Sequence, residues 1–241
     1  MTDPTKQGVS LKKLAIIQSS YLPWRGYFDI IHDVDLFLFY DEVEFSHGDF
    51  RNRNVIYSPQ GLSWLTLPCG RGTGKTIAEM TFSDRKNWQQ EHFNKITNAY
   101  RKAPFFGKYK PFFEHIYMER RWQYLSELNQ FLTKHIATEF LGIKTAFANS
   151  TDYPSHGQKG EKLLSLIKSA GYAHYLSGPA AKDYLDEAEF AANGVAVYWK
   201  DYSGYPEYPQ VKPPFEPQVS IIDLLMHTGS DAPQYIWGWR Q

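Results

Sequence analysis

Two short apolar runs constrain the fold more than any other feature of the chain. Residues 14–17 read LAII and residues 36–40 read LFLFY. Both have the length and the β-branched or aromatic content of buried strands. Between them, residues 19–24 hold Pro23 with Tyr21 and Trp24, which suits a turn, and residues 26–31 begin a short helix. Two buried strands joined by a helix form a βαβ unit with a parallel sheet. Ligands of such open sheets bind beyond the carboxyl ends of the strands. Gln18 to Tyr21 follow the first such end, and Asp41, Glu42 and Glu44 follow the second. Two polar clusters are therefore expected to meet at one sheet edge.

The α/β pattern returns later in the chain. Residues 54–57 and 64–67 read as strands around a turn at Pro59 to Gly61, and 76–82 as another short strand. From 87 to 141 the apolar spacing becomes helical. Ala103-Pro104 breaks one helix, since the residue before proline avoids helical angles. Lys110-Pro111 is expected to start the next, with proline in its first turn. A third helix, 126–140, has Ser126 as its expected cap and Gly142 as its stop. Strands at 144–148, 174–176 and 195–199 then alternate with helices at 160–170 and from Ser177 through Asp186. Residues 202–217, rich in proline and tyrosine, read as an ordered loop. Residues 220–226 read as a terminal helix capped by Ser220. The expected architecture is one Rossmann-like α/β domain, residues 14–241, with a mostly parallel sheet. A helical block at about 87–141 interrupts it, and residues 1–13 form a disordered N-terminal tail.

Composition narrows the function. The 26 basic residues balance the 26 acidic ones, so no global field favours DNA or an anionic membrane. A single cysteine, Cys69, excludes an internal disulfide and a structural zinc site built on cysteines, and suits a reducing cytosol. No apolar run approaches membrane-spanning length, and the first residues lack the apolar core of a signal peptide. The expectation is a cytoplasmic protein without a transmembrane segment.

Several motifs carry chemistry. The segment PCGRGTGKT invites comparison with a P-loop, but Cys69 stands where its first glycine belongs. Arg71 and Lys75 among glycines suit either a basic lid over an anion or a plain loop. Arg51-Asn52-Arg53-Asn54 is the densest polar cluster. In an extended chain the arginines share one face and the asparagines the other. Arginine forks bind phosphate or carboxylate, and asparagine amides read hydroxyls. Asp41 or Glu44 can serve as a general base or help hold Mg²⁺, or can pair with Arg51 and Arg53. Ser177, Gly178 and Lys182 follow a strand end at a helix start, where free N–H groups attract anions. The eight histidines show no zinc-enzyme spacing, and no metal site is expected.

The phrases QSSYLPWRGYF, FYDEVEF, RNRN, WLTLP, YLSGPAAKDYL and SIIDLLMHTG occur in this order over residues 14–229. In them the chain resembles the WbqC-like family, departing from its pattern at Ser19, where a proline is usual. The resemblance implies a place in bacterial surface-polysaccharide biosynthesis and a transferase that modifies a sugar. Acyl or aminoacyl transfer to an amino sugar on a nucleotide or lipid carrier is the expected reaction. Residues 21–27 also loosely resemble the first signature of nucleotidylyltransferase-like folds, though without its two histidines. Nucleotidyl or adenylyl transfer with a nucleotide and Mg²⁺, or a non-catalytic nucleotide-sugar-binding subunit, are the alternatives. The expected catalytic residues are Asp41 and Glu44. The expected substrate-binding residues are Gln18, Tyr21, Trp24, Tyr27, Arg51, Asn52, Arg53, Asn54, Ser177, Gly178 and Lys182.

Overall fold

The first apolar run becomes the centre of the sheet. β1 (Leu14–Ile17) pairs in parallel with β2 (Leu36–Phe39) over its whole length, and α1 (Arg25–His32) connects them. The computed structural model describes residues 11–70, 72–83 and 87–240. Most of the expected N-terminal tail and Arg71 of the glycine-rich loop lie outside the described residues. Lys13 already donates its backbone N–H to Asp35.

Five parallel strands form the sheet in the order β5-β2-β1-β6-β7. β5 spans Ala146–Asn149, β6 His174–Ser177 and β7 Ala196–Trp199. Strand alternation explains the two cores, because successive side chains point to opposite faces. Ala15, Phe37 and Phe39 face a large core built with α1, α2 (Trp88–Tyr100), α3 (Phe106–Glu114), α4 (Leu125–His135) and α7 (Ile221–Thr228). Leu14, Ile16, Leu36 and Leu38 face a second core with α5 (Lys159–Ser169) and Phe190 of α6 (Glu187–Ala192). With both faces covered, the strands read as continuous apolar runs rather than alternating ones.

The chain leaves β1 toward the first face and returns to β6 through α5 on the second. The order therefore reverses between β1 and β6, which makes that junction the topological switch point. β1 and β6 bridge only at Leu14–Tyr175, whereas β1 and β2 stay in register through Ile17–Phe39. β1 and β6 thus part toward their carboxyl ends and open a crevice there.

A two-stranded antiparallel hairpin, β3 (Arg53–Ser58) and β4 (Gly61–Thr66), follows β2. Its turn needs φ +115° at Gly61, which glycine adopts without strain. Four local expectations need correction. Residues 76–82 form isolated bridges at Thr76 and at Thr81 and Phe82, not a strand, because their partners are single loop residues. Pro111 lies inside α3 rather than at its start: the helix begins at Phe106, and the proline removes one hydrogen bond without ending it. The cap of α4 is Tyr124, and Leu125 donates its N–H to the Met80 carbonyl, so tertiary pairing replaces the expected serine cap. After Ser177 the chain makes a short 3₁₀ turn, Pro179–Asp183, before α6 capped by Asp186, so no α-helix starts at Gly178.

Candidate functional site

The loop after β1 is the frame of the site. Leu22 is fully buried with φ +45°, a left-handed conformation that costs a non-glycine residue about 1–2 kcal/mol. Asn54 Nδ2 donates to the carbonyls of Tyr21 (3.2 Å) and Leu22 (2.8 Å), and Ser220 Oγ donates to Leu22 O (2.8 Å). These bonds hold the strained turn. Asn52 is buried and donates to Leu67 O at 3.1 Å. Asn52 builds the hairpin and lines neither lobe of the cleft described below, whereas Asn54 both holds the loop and lines the smaller lobe.

Arg51 and Arg53 are both half-buried, but Arg51 sits in the turn before β3 rather than on an extended strand, and the two do not form a common clamp. Arg51 Nη1 donates to Ser20 Oγ (2.9 Å) and Gln18 O (3.3 Å), and its Nε meets Asp49 at 3.4 Å. The guanidinium of Arg53 instead lies over the Trp64 ring at 4.4 Å. Tyr21 is fully buried; its ring is core and offers no stacking surface. Its hydroxyl donates to His92 Nδ1 at 2.8 Å, because His92 Nε2–H is committed to Thr66 O at 3.2 Å. Tyr117 O–H then donates to Tyr21. Burial pulls the His92 pKa down to about 4, which keeps the ring neutral.

Tyr27 and Trp24 line the crevice. Tyr27 O–H donates to Gln18 O at 3.0 Å, and burial with Asp41 nearby raises its pKa well above the usual phenol range. It remains a neutral donor. Trp24 caps α1 and meets Tyr202 edge-on at 5.0 Å. The missing Cβ of Gly26 makes room for it, since a Cβ there would lie 2.3 Å from the indole.

Two cavities adjoin at this point. One, of about 660 Å³, lies at the switch point and is lined by Gln18, Tyr40, Tyr175, Ser177, Gly178 and Tyr184, among others. The other, of about 470 Å³, is lined by Ser20, Pro23, Phe50, Asn54 and Gln218. Ile17, Trp24, Tyr27 and Arg51 line both, so the two are lobes of one cleft. Arg51 and Lys159 are the charged side chains of its walls, and no carboxylate lines either lobe among the described residues.

Asp41 stands behind this cleft. Its Oδ1 accepts from Ser19 N (2.8 Å) and its Oδ2 from Gln130 Nε2 (2.9 Å). Burial raises its pKa, with the bonds from Gln130 and Ser19 and the charge of Arg51 opposing. It lines a third cavity of about 300 Å³ with Glu42, Glu127 and Ser150. Glu42 pairs with Lys162 at 2.6 Å. Glu44 is exposed, accepts from Gly74 N at 3.3 Å, and lines none of the three cavities. Lys182 is also exposed, over the Trp199 ring at 5.5 Å, and lies outside the cleft walls. The glycine-rich loop folds back onto the acidic segment through Phe45 N to Lys75 O, at 2.9 Å.

Sequence reading overlooked Tyr40, Phe50, Tyr184 and Tyr202 as walls of the cleft. It also overlooked the network that holds α1. Asp29 is fully buried and meets Lys200 Nζ at 2.8 Å, Tyr205 O–H at 2.5 Å and the Arg240 guanidinium. The tyrosine-rich composition of residues 202–217 was the available signal for an ordered segment, but not for what it covers.

A model of the WbqC-like protein family matches residues 18–235, from the start of the cleft loop almost to the C-terminal segment. The chain belongs to the WbqC-like protein family. It is similar to the uncharacterized protein Rv1507c of Mycobacterium tuberculosis, 41% identical over 232 residues, which cover 96% of this chain and 100% of that protein. No solved structure matches it significantly. No helix among the described residues is long and apolar enough to cross a membrane.

Proposed function

We propose that this WbqC-like protein is a transferase that modifies a sugar in bacterial surface-polysaccharide biosynthesis, attaching an acyl or aminoacyl group to an amino sugar. The observation that carries the reading is the cleft at the β1/β6 switch point, whose charged side chains are both cationic and whose walls are rich in aromatic rings. Aromatic faces suit sugar rings or bases, and a guanidinium suits the phosphate of a carrier. Tyr27 adds a donor that stays neutral.

In this reading Arg51 anchors the carrier, and Gln18 and Ser177 orient hydroxyls. No carboxylate lines the cleft among the described residues, and Asp41 lies in a separate cavity with both oxygens hydrogen-bonded, so the proton of the attacking nitrogen leaves with the departing group. The N–C bond forms to the acyl carbon, the bond from that carbon to its leaving group breaks, and the leaving group departs with the electron pair.

The test is to incubate the purified protein with amino sugars on nucleotide or lipid carriers together with acyl and aminoacyl donors, and to follow product mass. Product formed by the native protein and lost in Arg51→Ala is the expected result. No transfer with any pair, together with unchanged surface glycan on gene deletion, overturns it. The strand order is also the one that dinucleotide-binding sheets use. Release of pyrophosphate from a nucleoside triphosphate with Mg²⁺ would replace acyl transfer by nucleotidyl or adenylyl transfer.

A further inference from the structure

The cleft has a shape and a charge distribution that select among carriers. Resting on the functional reading above, we infer that its two lobes together hold a nucleoside-diphosphate sugar, with the diphosphate against Arg51. The nucleoside would occupy the 660 Å³ lobe and the sugar the 470 Å³ lobe.

Three observations support this assignment. First, the lobes share the wall formed by Ile17, Trp24, Tyr27 and Arg51, so a ligand filling both must thread past that seam. The seam carries the guanidinium common to both lobes. Arg51 spends Nη1 on Ser20 and Gln18 and Nε on Asp49, while Nη2 has no hydrogen-bond partner among the described residues. Asp49 is itself 38% exposed, so its screening of Arg51 is partial. A free guanidinium edge where the two lobes meet suits the charged linker of a two-part ligand.

Second, each lobe has a solvent-exposed aromatic ring at its wall. Tyr184, 67% exposed, belongs to the larger lobe, and Phe50, 54% exposed, to the smaller one. Large apolar rings left in water at the rim of a concave site are candidate stacking platforms. Third, the larger lobe lies at the switch point itself, where open α/β sheets bind nucleotides. Lys159 adds a second cation on that side.

The assignment is tested by binding alone, without turnover. UDP-N-acetylglucosamine, UDP and N-acetylglucosamine 1-phosphate are titrated by calorimetry into the full chain, with the dTDP- and GDP-linked sugars and their fragments as a parallel panel. The complete nucleotide-sugar of one series should bind at least tenfold more tightly than either of its fragments. Tyr184→Ala should weaken the nucleoside diphosphate and spare the sugar phosphate. Phe50→Ala should do the reverse. Arg51→Ala should weaken all three ligands, and Arg51→Lys should restore part of the loss. Both aromatic side chains are exposed, and unchanged unfolding curves would show that the variants fold.

The inference is overturned if no nucleotide-sugar of the panel binds, if the sugar adds nothing to nucleotide affinity, or if Arg51→Ala leaves binding unchanged. It is also overturned if the two aromatic variants act alike on both fragments. Binding in the expected pattern without transfer refutes the enzyme reading alone. Transfer to a lipid-linked sugar without nucleotide-sugar binding refutes this inference alone.

Discussion

Acidification should destabilise the protein through one buried ring. His92 is 3% exposed, and burial holds its pKa at about 4 against an ordinary value of 6.5. The unfolded chain therefore takes up a proton near pH 6.5 that the folded chain refuses until about pH 4. Stability from this group is complete above pH 6.5 and is lost as pH falls through that window. A shift of about 2.5 units at about 1.36 kcal/mol each sets a ceiling of about 3.4 kcal/mol. Between pH 7 and pH 4.5 the expected loss is about 2.4 kcal/mol, or roughly 5–10 °C in Tm for a domain of this size. The consequence is structural as well as energetic. A protonated Nδ1 can no longer accept from Tyr21, so the Tyr117–Tyr21–His92 chain must rearrange next to the cleft loop. Urea unfolding at several pH values, for the native protein and for His92→Gln, isolates this contribution from that of the carboxylates. The variant should start less stable at pH 7, and the gap should close by about 2.4 kcal/mol on going to pH 4.5. Parallel pH profiles for the two proteins would refute the reasoning.

The remaining expectations concern the frame and its accessibility. Asp29→Ala strands Lys200, whose side chain is 3% exposed, with Asp33 as its remaining partner. Loss of about 3–5 kcal/mol is expected in a denaturant titration, and an unchanged midpoint would contradict the network. Gly26→Ala places a methyl 2.3 Å from the Trp24 ring. It should cost several-fold in ligand affinity because Trp24 must leave the shared wall, although alanine favours the helix by about 1 kcal/mol. The Cys69 thiol is pushed up to about 12 by burial. Iodoacetamide at pH 8 should therefore label the native chain about a thousandfold more slowly than the unfolded one, and equal rates would mean that the loop opens freely.

Much of the fold was legible because it depends on local pattern. The runs at 14–17 and 36–40 carry buried-strand composition, the intervening spacing excludes a hairpin, and Gly142, Gly171 and Gly194 stop their elements with positive φ. What failed locally failed for tertiary reasons: the start of α4 is set by Met80 across the chain, and Pro111 is tolerated because neighbouring packing holds α3. The polar clusters after β1 and β2 do reach one sheet edge, and there Asp41 receives the Ser19 N–H.

The roles of individual side chains were not legible in the same way. Asn52 and Asn54 have the composition of a recognition motif, yet they spend their amides on backbone carbonyls of Leu67, Tyr21 and Leu22. Arg51, in the turn before β3, finds the cleft, and Arg53, the first residue of β3, finds Trp64. By itself the sequence determined the parallel α/β class, the sheet edge that carries polar groups, and the family. Side-chain period and turn chemistry are properties of neighbours in the chain. Only the tertiary structure decided which arginine faces the cleft, which tyrosines are core, and that Tyr202, Lys200 and Arg240 return to α1. Those outcomes depend on contacts between distant residues, and the burial that sets them exists only once the layers have packed.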